Sequence, residues 1–338
     1  MIRGGDGCHL QALTPRGDAR PAFLSRKQVL GGIFRFESDS RDLMDLVEAA
    51  YGGLPPQTLL AGGNDFHIEL RVSPRNTRRY PNGPPAPRIS SKRGGVFAVI
   101  DDSNRVVIEP ARRCARVMAS EDMLRHAYHL RYELIEFAVF VLATRGVGLV
   151  PLHAACIGQD GRGLLLLGDS GSGKSTLALH CLLQGLDVLS EDAVFVRTAG
   201  LRAVGVPNYL HLRADALRYV GDDVARSWIS QAPVVRRRSG VEKFEVDLRK
   251  GHGRPAGTPL ELIGAVFVSA RSASRHDEML VPLREHEFSG LLKAGQPNAS
   301  SQPGWECFLR QLLDRGGHAL RRGPHPDDSV DALRQLLA

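Results

Sequence analysis

Gly168-Asp169-Ser170-Gly171-Ser172-Gly173-Lys174-Ser175, followed by Thr176, has the spacing Gly-x4-Gly-Lys-Ser of a loop that cradles phosphates. Its glycines let successive backbone N–H groups converge on phosphate oxygens. The Lys174 ammonium adds a fixed positive charge, and the Ser175 hydroxyl is a ligand for magnesium. Two carboxylates, Glu191 and Asp192, come 17 and 18 residues after Lys174. Phosphoryl transfer needs an acid that helps hold the metal and a carboxylate beside the attacking hydroxyl, and this pair can supply both. His153, on an apolar stretch beside two alanines, admits a core role as well as a catalytic one. The basic run Arg236-Arg237-Arg238 with Lys243 reads either as a solvated loop or as a clamp on a transferring phosphoryl group or an acidic peptide. A phosphate loop alone does not separate kinase, GTPase, motor and transporter. The chain has neither an Asn-Lys-x-Asp guanine reader nor a Leu-Ser-Gly-Gly-Gln transporter signature.

The elements that must hold these groups lie on either side of the loop. Four consecutive leucines, Leu164 to Leu167, predict a strand buried on both faces of a helix-covered sheet. Residues 174–184 predict a helix whose N-terminus favours anions and which stops at Gly185. Residues 186–189 are the next strand, ending in Ser190-Glu191-Asp192, and 149–157 is a strand that carries His153. Further strands are expected at 193–197, 201–206, 209–212, 244–246, 263–269 and 318–321, with helices at 285–294, 305–314 and 327–337. Residues 1–28 read as a flexible leader. Residues 29–145 read as a smaller N-terminal α+β domain: a strand at 34–36, a helix at 40–51 capped by Asp39 or Ser40, a strand at 66–72, an exposed proline-rich loop at 73–95, a hairpin at 96–109 and one long helix at 121–144. That domain shows no catalytic constellation, and substrate recognition is one role open to it. Gly146-Val147-Gly148 sets the boundary, and 146–338 is the loop-bearing domain.

Hydrophobic residues at 43% and charged residues at 24% of 338 suffice for a sizeable core. The excess of 44 Lys and Arg over 37 Asp and Glu gives a net charge of +7. Those arginines are dispersed and no aromatic residues interleave with a basic block, which argues for anion-binding sites and against a nucleic-acid surface. Five cysteines, an odd number without a Cys-x-x-Cys, point to a reducing cytoplasm. The N-terminus has no signal-peptide core. The longest apolar run, 134–143, is interrupted by Glu136 and too short to span a membrane, so no membrane partner is expected.

Leu152-His153-Ala154-Ala155, the Gly168 to Ser175 loop, and Gly185-Leu186-Asp187-Val188-Leu189-Ser190-Glu191-Asp192 together resemble the catalytic domain of HPr kinase/phosphorylase and its relatives, over residues 149–250. The resemblance implies an α/β fold with a P-loop catalytic domain of the HPr kinase and phosphoenolpyruvate carboxykinase type. It also implies ATP and magnesium as cofactors. On that reading Lys174 and the loop from Gly168 to Thr176 bind the phosphates, Ser175 and Asp192 hold the metal, Glu191 is the base and His153 supports it. Glu191 stands where the family has the first Asp of an Asp-Asp pair. The segment that couples kinase and phosphorylase activities in that family is not recognisable around 194–223. The closer likeness is therefore to HPr-kinase-like proteins of peptide-biosynthesis and polysaccharide clusters, including lasso-peptide tailoring kinases that phosphorylate a precursor serine. The activity implied is phosphorylation of a serine hydroxyl on a peptide or small protein. The alternatives are a small-metabolite kinase and a nucleotide-dependent switch without kinase activity. Because HPr kinases assemble as hexamers, the resemblance also implies self-association.

Overall fold

A computed structural model describes residues 23–59, 64–73, 80, 81, 83–251, 253, 255–273 and 278–338. The described residues form a mixed α/β structure with three sheets. The first runs in the order Phe23–Val29, Gly32–Ser38, Asp65–Ser73, Cys114–Ser120, Arg105–Glu109, Gly95–Val99 and Arg88–Lys92. Alternation along its central strands sends Phe34, Phe36, Phe66, Ile68, Leu70, Ala115, Val117 and Ala119 to the buried side. Helix Arg41–Tyr51, capped by the Ser40 hydroxyl accepting from the Leu43 amide, adds Leu43, Val47 and Ala50 to the same core.

Three expectations for this half need correction. The leader expected to residue 28 gives way to a strand at Phe23, and residues 1–22 lie outside the described ones. Within the expected 73–95 loop, Arg88–Lys92 is a strand paired with Gly95–Val99. All five of its residues are exposed, so no inside-outside alternation marks it, while 74–79 and 82 lie outside the described residues. The single helix expected over 121–144 is broken into helix Glu121–Leu124, helix Ala127–Leu130, a π-helical turn Arg131–Ile135, helix Glu136–Leu142 and a second π turn Ala143–Val147. A π turn takes an extra residue and so rotates the side chains that follow relative to an α-helix. Here it lets Arg131 and Tyr132 reach partners far along the chain, described below.

The second sheet has nine strands. Its main order is Asp187–Ser190, Ala155–Gln159, Arg162–Leu167, Leu260–Ser272, Arg202–Gly205, Val194–Arg197 and Val150–Leu152. Gly317–Arg322 pairs with Leu260–Ser272 and carries Leu280–Pro282 on its other side. Leu164 to Leu167 are at most 2% exposed, as a strand covered on both faces requires. Helices Lys174–Leu183 and Pro326–Leu337 pack on one face, and Glu285–Gly295 and Trp305–Arg315 on the other. A third sheet, Tyr209–Leu212, Glu242–Asp247 and Val234–Arg236, includes a strand inside what reads as a basic loop. Helix Asp223–Ser230, capped by Asp222, is too short to stand out as a periodic segment.

The strand expected over 149–157 is two strands. Val150–Leu152 pairs with Val194–Arg197, whereas Ala155–Gln159 pairs with Arg162–Leu167 and Asp187–Ser190. The chain crosses between those positions at His153 and Ala154. The segment 187–197 makes the matching crossing at Glu191, Asp192 and Ala193.

Candidate active site

The two crossings and the glycine loop meet. Strand Arg162–Leu167 delivers Gly168 with φ +136°, and Gly171 and Gly173 follow with φ of +82° and +101°. A Cβ on Gly168 would lie 2.5 Å from the Val268 carbonyl oxygen, so only glycine fits there. Gly173 is the N-cap of helix Lys174–Leu183, and the first amides of that helix face the cavity. Lys174 Nζ donates back to the carbonyls of Gly168 and Asp169. Burial holds this ammonium below the ordinary lysine value, while Asp192, Glu191 and Asp169 oppose that shift. Ser172 Oγ is buried and has no partner among the described residues.

The adjoining cavity, about 400 Å³, is lined by Ser170 to Leu177, His153, Glu191, Asp192, Arg237 and Lys243. That size is ordinary for a small-molecule pocket. Its lining also includes Ala216, Tyr219, Val268, Leu320, Pro324 and Pro326 together with the charged Arg213, Asp215, Arg218 and Arg322. Gly168 and Asp169 do not line it, Thr176 does, Arg236 is exposed, and Arg238 turns away to Glu133 and the carbonyls of Pro84 and Pro85. Of the basic run, Arg237 and Lys243 therefore reach the cavity and Arg236 and Arg238 do not.

The two acids have separate partners. Glu191, 7% exposed, accepts from the Ser175 hydroxyl through Oε1 and faces His211 Nδ1 at 3.4 Å through Oε2. Asp192 lies 3.1 Å from His153 Nδ1 through Oδ1, and through Oδ2 accepts from Arg237 Nη2 and the Tyr132 hydroxyl, each at 3.1 Å. Burial alone would raise the Asp192 carboxyl; the His153 bond and the Arg237 guanidinium outweigh it and hold the group far below the usual carboxylate range. The same bond raises the His153 imidazole. Ser175 thus meets Glu191, not the Asp192 with which the resemblance pairs it.

Several residues here are not signalled by the sequence. Gln296 clamps the backbone of His153 at the crossing, accepting from its N–H at 2.8 Å and donating to its carbonyl at 2.9 Å. Arg322, at the end of strand Gly317–Arg322, donates to the Gly171 and Ser172 carbonyls, while the Ser172 N–H donates to the Asp169 carbonyl within the loop. His211 is buried between Glu191 and Glu245. Burial would lower its imidazole, and its hydrogen bonds to both carboxylates reverse that to a net rise. His180, His325 and Asp327 cluster at the other end of the loop helix, where His180 Nδ1 and Asp327 lie 2.7 Å apart.

Against known proteins, no family model matches the chain. Seventy-two residues are 35% identical to the HPr kinase/phosphorylase of Mycoplasmopsis pulmonis (strain UAB CTIP), covering 21% of this chain and 23% of that protein. The chain is therefore related to an HPr kinase/phosphorylase over this stretch and spans less than a quarter of that relative's length. Among the described residues, no helix is long and apolar enough to cross a membrane.

Proposed function

We propose that the protein is an ATP- and magnesium-dependent kinase that phosphorylates a serine hydroxyl on a peptide or small protein, with a ribosomal-peptide precursor of the lasso type as the leading substrate class. On this reading residues 146–338 are a P-loop kinase domain of the HPr kinase type and 29–145 a smaller domain in front of it. The observation that carries the proposal is the convergence, on one cavity, of the glycine loop, Lys174 and Ser175 with two acids whose partners differ. The partial likeness to an HPr kinase/phosphorylase supports the same chemistry.

The donor set suits the two cofactors. The N-terminus of helix Lys174–Leu183, Lys174 and the unpartnered Ser172 hydroxyl match a triphosphate, and the Tyr219 ring in the same lining suits a base. A hydroxyl and a carboxylate oxygen, Ser175 with Glu191, are hard ligands suited to magnesium, which when bound supplies charge neutralisation across the transferring phosphate. Their hydrogen bond favours Glu191 over Asp192 on the metal side, the reverse of the assignment carried by the resemblance. Asp192, beside His153, is then the carboxylate that orients the acceptor hydroxyl and takes its proton as the phosphoryl group moves. Arg237 and Lys243 face the same space and hold the migrating negative charge.

Candidate precursor peptides incubated with magnesium ATP and analysed by mass spectrometry should gain one phosphate on serine. Asp192→Asn should remove turnover while leaving magnesium-dependent nucleotide affinity within about twofold, whereas Glu191→Gln should raise the magnesium concentration needed for half-maximal nucleotide binding by about tenfold, the equivalent of one charge-assisted contact. No phosphorylated peptide from the wild type, with nucleotide binding intact, would defeat the peptide-kinase reading. The opposite division of effects between the two variants would restore Asp192 to the metal.

A further inference from the structure

The acid pair is held from outside its own half of the chain. Tyr132, on the π-helical turn Arg131–Ile135, donates its hydroxyl to Asp192 Oδ2 at 3.1 Å. Its neighbour Arg131, 5% exposed, donates through Nη2 to Glu245 Oε1, which lies 3.3 Å from His211 Nε2; His211 Nδ1 in turn lies 3.4 Å from Glu191. Two consecutive residues of one turn therefore end on the two members of the acidic pair, one directly and one through a buried chain of charged groups. The turn is fixed in its own right. Tyr128 and Tyr132 stack with centroids 5.7 Å apart, the Arg237 guanidinium sits 5.3 Å from the Tyr132 ring, and Arg131 lies 4.3 Å over the Tyr209 ring.

We propose that this π turn is the positioning element for both acids, so that the N-terminal half completes the catalytic geometry rather than serving only as a separate recognition module. The proposal rests on the reading of Glu191 and Asp192 as the working carboxylates. A run of α-helix through 131–135 would carry consecutive side chains around the axis at a fixed step. The wider π turn is the local departure at which Arg131 and Tyr132 both face the site, in keeping with the frequent occurrence of such bulges at functional positions. Other polar ties across the same junction end away from the acids: Arg249 donates to the Ala49 and Gly52 carbonyls, and Asn208 to the Ala50 carbonyl. Those ties hold the halves together without touching an acid. They supply the comparison that separates positioning from simple adhesion.

Tyr132→Phe removes one hydroxyl and keeps the stacked ring. It should lower kcat for phosphoryl transfer about 10- to 100-fold, the rate equivalent of one hydrogen bond to a charged group, with ATP affinity within about twofold of wild type. Arg249→Lys should lower the melting temperature and leave kcat unchanged. An acceptor-independent measurement runs beside this one: the drop in melting temperature caused by Tyr132→Phe should vanish in an Asp192→Ala background, because the hydroxyl then has no carboxylate to hold. If wild-type protein transfers phosphate to no acceptor, the kinase reading fails by itself, and the melting comparison still decides whether Tyr132 and Asp192 are coupled. An unchanged kcat in Tyr132→Phe, or an equal melting shift in both backgrounds, would overturn the proposal.

Discussion

Replacing Glu136 by Gln measures how the buried charges at the junction of the two halves are balanced. Glu136 is 4% exposed, and its Oε1 lies 3.1 Å from Arg131 Nε, yet neither atom makes a hydrogen bond, so the two sit close without alignment. Burial pushes the carboxyl up to about 7 against the pull of Arg131, with Glu245 adding to the rise. In the unfolded chain it titrates near the ordinary value of 4.5. Between those two values the folded protein retains a proton that the unfolded chain has released, so stability falls as pH rises from about 4.5 to 7 and stays reduced above it. At about 1.4 kcal/mol per pH unit the interval amounts to about 3 kcal/mol, already net of the attraction to Arg131. Glutamine has nearly the same shape and cannot ionise. Glu136→Gln should therefore be more stable than wild type by about 3 kcal/mol at pH 8, with the difference shrinking below about 1 kcal/mol at pH 5. Urea unfolding at each pH, followed by tryptophan fluorescence and far-UV circular dichroism, gives the difference, with coincident transitions as the check on cooperativity. The opposing expectation is that of a well-made buried ion pair, in which removing one partner destabilises by about 3–5 kcal/mol at neutral pH. A pH-independent loss of that size would refute the reasoning.

Two more outcomes follow from the geometry. Gly168→Ala should leave the chain folded but weaken nucleotide binding more than about tenfold in calorimetry, since the added methyl meets the Val268 carbonyl at 2.5 Å at a φ of +136° and the loop must move. The His153 imidazole, raised chiefly by its hydrogen bond to Asp192, should titrate by NMR above the ordinary 6.5 and fall back toward it in Asp192→Ala; an unchanged titration would mean that the two do not pair in solution.

The parts of the fold that the sequence signals plainly are those in which one local pattern agrees with one environment. Leu164 to Leu167 and the loop after them are such a case, because a fully buried strand, a phosphate-type loop and a helix each carry their own mark within a few residues. The same holds for Arg41–Tyr51, whose apolar spacing and Ser40 cap point to one helix. Where the reading fails, two environments share one run of residues. Residues 149–157 are apolar apart from His153, and a single polar residue does not by itself mark the point where Val150–Leu152 leaves one edge of the sheet and Ala155–Gln159 joins the other side. Helix periodicity over 121–144 is likewise nearly continuous, and what breaks it is a tertiary demand on Arg131 and Tyr132.

The same distinction explains which site residues could be read. Lys174, Ser175, Glu191 and Asp192 are marked by spacing because the loop, its helix and the next strand are consecutive, and local connectivity alone brings them within reach of one another. His211, Glu245, Arg131, Tyr132, Gln296 and Arg322 come from five different elements or connections and share no spacing rule. Their common property is what they do to a neighbour: each fixes a charge or a backbone group that a local residue needs held. Such residues must be buried or half-buried and polar, a combination that is expensive unless every partner is supplied, and the partners are visible only once the chain is folded. The acid at 191 shows the consequence. On the proposed reading, spacing permits either member of the Glu191–Asp192 pair on the metal side, and the partners that converge on each, Ser175 and His211 on one and His153, Arg237 and Tyr132 on the other, are what would distinguish them. Division of labour within an acidic pair is thus set by residues that no motif contains.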